Sequence, residues 1–311
     1  MRRIAPARLV LVALALAGLL GLAAGPTSAT NPPTVPGARG CPVFPATNVW
    51  NREITTLPVR WNSSTLIRSI GLEAGLHADF GSYLGYGIPY NVVGSATPKV
   101  RVGFWWPDES DAGPYPIPSN PKIEGGNDRH LLVVDRDACR LYELYHAVKE
   151  TGGWTAGSGA IWNLGSNALR PNGWTSADAA GLPILPGLVR YDEVAAGRIA
   201  HALRFTAPRT RDRHVYPARH HAGEGDDPAL PPMGVRVRLK ASFSLSGFSP
   251  QARVILVALK RYGMLLADNG SPWYVTGVSD ARWNDDVLHQ LSRVTGRDLE
   301  VVDTTGFVNG S

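Results

Sequence analysis

Three short stretches hold the polar residues best placed to do chemistry. In "LHADFGS", His77 and Asp79 stand two apart, so an extended backbone puts both side chains on one face. In "NDRHLLVVD", Asp128 and His130 share a face by the same alternation. In "CRLYELYHAV", one face carries Cys139, Leu141, Glu143 and Tyr145. A carboxyl among such neighbours is drawn out of water, which raises its pKa as a general acid requires. His201 opens "HALRFTA" directly after a helical signal, a position that lines clefts in many sheets. Glycoside cleavage needs two carboxyls flanking one bond, one of them kept protonated by apolar surroundings. The expected pair is Glu143 as acid and Asp79 as its partner, with His77, His130 and His201 shaping the site. Each residue also has a structural reading. His77 and Asp79 could form a hydrogen-bonded turn, and Asp128 could cap a strand beside an exposed His130. Glu143 could pair with Arg140 or Arg204, and His201 could be a satisfied half-buried imidazole.

Aromatic residues supply a second line. The chain has nine tryptophans, and indole faces stack on the C–H faces of sugar rings. Trp154 and Trp162 are the expected sugar platform, with Trp105, Trp106 and Asp128 completing the binding wall; core filling is the alternative. The loop holding Asp108, Glu109 and Asp111 suits calcium, a sugar-hydroxyl network or plain solvated surface. "ARHHAGEGDD" (Ala218 to Asp227) has metal-binding residue types but is flanked by loop signals, and reads first as a surface loop. No cofactor is expected, with calcium or a transition metal left open.

Several function classes drop out. "AGSGA" places Ala156 and Ala160 where a nucleophile elbow needs glycines. No phosphate-binding loop, dinucleotide fingerprint, H-E-x-x-H or paired C-x-x-C occurs. The first residues carry Arg2, Arg3 and Arg8, an apolar run from Leu9 to Ala24, then Thr27 and Ala29 at cleavage-site positions. That is the pattern of a secretory signal peptide over residues 1–29, with a membrane anchor as the alternative. The formal charge of +5 includes those three arginines and no acid from the segment, so +5 − 3 = +2 remains. Nucleic acid thereby loses its main support as a partner. Two cysteines in an exported chain read as one disulfide, Cys41–Cys139.

These residues must be positioned by a mostly β chain. "IPYNVV", "KVRVGFWW", "HLLVVD", "CRLYELYHAV", "GAIWNL", "HALRFTA", "VRVRLKASFSL" and "WYVTGV" are strand-like. "DRDAC" predicts a tight hairpin connection and "ADNGSP" a turn through Asn269 and Gly270. Helices are expected in "SPQARVILVALKRYG", with Ser249 as N-cap, Pro250 next and Gly263 following, and in "NDDVLHQLSRVTG", with a short one in "YDEVAAG". The expected architecture is a β-sandwich or distorted barrel, mainly β in an α+β sense, with a few peripheral helices toward the C-terminus. It divides into a Pro/Gly-rich flexible lead-in over 30–40, a single domain over 41–305 and a tail over 306–311.

The segments "HADFGS", "IEGGNDRHLLVVD", "LYELYHA", "GWTSADAAGLPILPGLVRYDEV", "PPMGVRVRLKA" and "ALKRYGMLLADNG" resemble a widespread group of secreted bacterial and fungal proteins, over roughly Cys41 to Asp303. The resemblance implies export and one integral domain; it carries over no catalytic residue. The expectation is therefore a secreted, extracellular and monomeric glycosidase-like hydrolase, with no membrane anchor after cleavage and a cell-wall or extracellular polysaccharide as partner. A non-catalytic glycan-binding protein and a metalloprotein using His77, Asp79, His130 and His201 are the alternatives.

Overall fold

Apolar residues on both faces of the strands in the middle of the chain build a sheet buried on both sides. The computed structural model describes Met1 and residues 31–308, so the segment with signal-peptide character lies outside the described residues beyond its first residue. The elements in chain order begin with α1 (Ser63–Gly71), β1 (His77–Asp79), β2 (Tyr90–Val93), β3 (Val102–Phe104), β4 (Leu131–Asp135) and β5 (Arg140–Tyr145). Next come β6 (Val148–Glu150), β7 (Gly153–Ala156), β8 (Ser158–Asn163), α2 (Tyr191–Ala195), β9 (Leu203–Ala207) and β10 (Arg236–Leu239). The last are α3 (Pro250–Arg261), β11 (Met264–Asn269), β12 (Tyr274–Thr276), α4 (Asp285–His289) and β13 (Leu299–Val301).

The strands form three open sheets: six strands in the order β1-β12-β9-β11-β10-β13, four in the order β2-β4-β5-β8, and three in the order β3-β7-β6. The result is mainly β, a distorted sandwich and not a closed barrel. In the four-stranded sheet, Leu132, Val134, Leu141, Ala160 and Trp162 face a first core shared with the six-stranded sheet. Leu131, Val133, Tyr142 and Leu144 face a second core, closed by Val102 of β3 and Ala156 of β7. Burying both faces explains the near-continuous apolar run in β4.

The β4–β5 hairpin forms as its sequence predicts. Asp135 accepts hydrogen bonds from the Asp137 and Ala138 amides, 3.1 Å each, and so closes the turn. The Cys41–Cys139 disulfide is present, spanning 98 residues. Helix α3 starts at its Ser249 cap, and Gly263 follows at φ +66°, where a Cβ would lie 2.4 Å from the Val237 carbonyl oxygen.

Four expectations need correction. The 30–40 segment is no loose lead-in, because Val35 and Ala38 are buried in the first core and the Val43 amide donates to the Pro33 carbonyl. At the described start of the tail, Phe307 is buried beneath the Arg52 guanidinium at 4.1 Å. Helices are not confined to the C-terminal part, since α1 buries Leu66, Ile67 and Ile70. Helix α4 tightens into a 3-10 turn at Gln290–Arg293 instead of continuing.

Candidate functional site

A cavity of about 460 Å³ opens where the end of the four-stranded sheet meets β11 of the six-stranded sheet. Its aromatic wall is Trp106 and Tyr145, stacked at 6.3 Å and 22°. Tyr145 ends β5 and pairs in register with Ser158 at the start of β8, so both sit at the sheet's rim. The Trp105 and Trp106 amides donate to the Ala156 and Gly157 carbonyls, 3.1 Å each, which ties the tryptophans to the β7–β8 turn. Only glycine fits at 157, because a Cβ there would lie 2.5 Å from the Tyr145 ring.

The floor is built from two distant pieces of chain. The loop from Thr175 to Ala179 contributes Asp178, and β11 contributes Asp268. Asp268 reaches the cavity through a β-bulge, in which Leu266 pairs with Phe205 but Asp268, not Ala267, pairs with Thr206. Strict alternation would put Asp268 on the same face as the core residue Leu266; the bulge re-aims it. The bulged Ala267 carbonyl accepts the Ala180 amide at 2.9 Å, fastening the Asp178 loop to β11. His130 Nε2 donates to the Ala177 carbonyl at 3.0 Å and Ser158 Oγ to the Ser176 carbonyl at 2.5 Å, so the four-stranded sheet holds the loop as well.

Charge is concentrated behind this floor. Arg204, on β9, holds Asp178 bidentately, with Nε at 3.1 Å and Nη2 at 2.7 Å, and donates Nη1 to Thr276 Oγ1 at 2.7 Å. Its Nη2 also lies 3.8 Å from Asp268. Asp178 is 1% exposed, whereas about a third of the Asp268 side chain (32%) meets the cavity. Burial pushes both carboxyls up, Asp268 to about 7 with the Asp178 charge adding to the effect. The bidentate arginine favours charge on Asp178, and that charge in turn favours the protonated form of Asp268. Behind them His130 Nδ1 bonds Glu124, which raises the imidazole and lowers the carboxyl, although burial opposes both shifts.

The remaining cavity acids are Glu109 and Asp128. Glu109 accepts the Thr175 amide at 3.0 Å and lies 3.8 Å from His220 Nε2, while His220 Nδ1 donates to the Ala179 carbonyl at 2.8 Å. Burial first, then the Asp128 and Asp268 charges, raise the Tyr145 phenol, and all three residues line the cavity.

Of the residues expected from sequence, Trp106 and Asp128 line the cavity, His130 braces its floor, and Trp105 packs beside it against His146 at 4.7 Å. Asp128 and His130 do not share a strand face, because Arg129 takes a left-handed φ of +48° and β4 starts only at Leu131. His77 and Asp79 do share a face on β1, both half-buried. His77 stacks on Tyr274 and bonds the Tyr86 hydroxyl at 2.8 Å, and neither His77 nor Asp79 lines the cavity. Burial raises Asp79, with the Tyr86 hydroxyl and the Arg204 charge opposing that shift.

Glu143 is fully buried and takes no part in the cavity. It accepts the Ile184 and Leu185 amides and Trp162 Nε1 at 2.9–3.1 Å, pinning the 3-10 turn at Leu185–Gly187. Neither Arg140 nor Arg204 is its partner. Trp162 is consequently core, and Trp154 packs against the second core. His201 is wholly buried between the Ala202 carbonyl and Glu193, in a separate network with Arg190. His77, Asp79, His130 and His201 do not converge: among the described residues no group of three or more His, Cys, Asp or Glu is arranged to hold a metal ion. Asp111 is engaged by Arg170 at 2.6 Å and the Ile161 amide at 2.8 Å, so its loop forms no calcium cage. Asp178 and Asp268 went unnoticed in the sequence. Their only local signal is an acid set in small and apolar residues, "SADAAGLPIL" and "MLLADNG".

The buried Glu143 makes stability pH-dependent. Burial outweighs its three donors and pushes the carboxyl from 4.5 up to about 7. The folded state therefore holds a proton that the unfolded chain releases near pH 4.5. The stabilisation is complete below that pH and is lost as pH rises through about 7, for a total of about 3 kcal/mol. Asp268 and Asp79 act in the same direction. Urea unfolding midpoints should fall from about pH 5 to about pH 8, and Glu143→Gln, which mimics the protonated form, should flatten that slope. An equally steep slope in the variant would contradict the assignment.

No protein family, curated protein or solved structure matches the chain. Among the described residues, no helix is long and apolar enough to cross a membrane.

Proposed function

We propose that this protein is exported and hydrolyses glycosidic bonds of a cell-wall or extracellular polysaccharide, with Asp268 as general acid. The observation that carries the reading is a single cavity joining the Trp106–Tyr145 wall to the pair of buried Asp178 and partly exposed Asp268. A sugar ring lies with its C–H face on Trp106. Asp268 gives its proton to the departing glycosidic oxygen as the C1–O bond breaks. Asp128 takes a proton from the water whose oxygen bonds to C1. Burial and the Asp178 charge favour the protonated form of Asp268 between turnovers, against the Arg204 charge, and His130 is a positioning residue that fixes the loop. Export rests on the basic head and apolar run at the N-terminus, and the disulfide fits an oxidising compartment.

The test is incubation of the protein with a panel of polysaccharides, with products read by mass spectrometry. Shortened oligosaccharides carrying one added water per cut are expected. Asp268→Asn should slow their release by at least about 100-fold while leaving polysaccharide binding intact. Binding without shorter products would make the cavity a glycan-binding site; unsaturated ends or oxygen gain would replace hydrolysis by another reaction.

A further inference from the structure

The cavity's charge is the reverse of the chain's. The sequence carries a formal net +5, yet Glu109, Asp128, Asp178 and Asp268 line the cavity with no lysine or arginine among its lining residues. Its one basic lining group is His220. Compensation is uneven. Asp178 is neutralised by Arg204, and Glu109 lies 3.8 Å from the His220 imidazole. Asp128, exposed at the opening, has no ion-pair partner among the described residues. The aromatic wall adds to this field, since a cation over an indole or phenol face is attracted by the ring quadrupole. A concave site of one sign gathers ligands of the opposite sign and repels those of its own.

Resting on the glycoside-active reading above, we propose that the polysaccharide is cationic: a polymer of amino sugars bearing free ammonium groups, bound with its ring faces on Trp106 and an ammonium group at Asp128 and Glu109. A uronate polymer would bring carboxylates against these acids, with no free guanidinium or ammonium to receive them. An N-acetylated polymer would offer the same ring shape without the charge.

The experiment measures binding of the full chain to β-linked glucosamine oligomers, to fully N-acetylated oligomers of the same length and to galacturonate oligomers. The glucosamine oligomer should bind about tenfold more tightly than its N-acetylated counterpart at low salt. That advantage should shrink as ionic strength rises, and Asp128→Asn should reduce the ratio of the two affinities. Because the wild-type comparison needs no substitution, a poorly folding variant does not spoil the test. Equal or tighter binding of the N-acetylated or galacturonate oligomer overturns the cationic specificity, and leaves the glycoside reading standing if Trp106→Ala abolishes that binding. Failure to bind any saccharide overturns both. Oligolysine of matched charge binding as tightly as the glucosamine oligomer overturns the amino-sugar class.

Discussion

Replacing Arg204 with alanine is expected to cost about 3–5 kcal/mol, because it strands a buried carboxylate. Asp178 is 1% exposed and its two oxygens face the arginine fork. Without that fork the carboxylate must either stay charged in an apolar setting or take up a proton at the expense of stability. Thr276 Oγ1 loses its guanidinium partner in the same step. Arg204→Lys should fall between wild type and alanine, since one ammonium cannot reproduce two parallel hydrogen bonds and a third to Thr276. Removing both partners, Asp178→Asn with Arg204→Met, should cost less than Arg204→Ala alone. Urea unfolding at neutral pH measures all three. A loss for Arg204→Ala below about 1 kcal/mol, the value of an exposed pair, would show that the contact is solvated.

Removal of the disulfide, by Cys41→Ser with Cys139→Ser, is expected to destabilise the protein by about 4–5 kcal/mol. The bridge closes a loop of 98 residues, long enough that its absence greatly enlarges the unfolded ensemble. It also joins the packed segment around Val35 and Ala38 to the β4–β5 turn, where Cys139 takes a left-handed φ of +48°. Thermal unfolding with and without reductant should give a large drop in midpoint for wild type and none for the double variant. A variant as stable as wild type would mean that the unfolded chain keeps these ends together without the bond.

Much of the scaffold is legible because it depends on local chemistry. The Asp135 turn, the Ser249 cap with Pro250 behind it, and the alternation that puts His77 and Asp79 on one face all follow from neighbouring residues. Glu143 shows where such reasoning stops. Alternation turns it inward and burial does raise its pKa, as expected. Yet an inward face can look onto a cavity or onto a filled core, and the period of two is identical in both cases. Here the neighbour is the 184–185 backbone, so the carboxyl serves as a cap within the core. The tryptophans divide for the same reason: Trp162 meets Glu143 inside, while Trp106, held at a turn, meets the opening.

The sequence by itself determined that the chain is mainly β, that its two cysteines pair, and which acids and aromatics were available for chemistry. Tertiary structure alone decided which of them meet. Asp178 and Asp268 lie 90 residues apart and come together through one β-bulge and one backbone hydrogen bond, Ala180 to Ala267. Neither feature has a periodic signature, because a bulge is a local break in the pattern that periodicity detects. The charge on the pair is likewise a property of the assembly, set by Arg204 arriving from β9 and by the exclusion of water around Asp178.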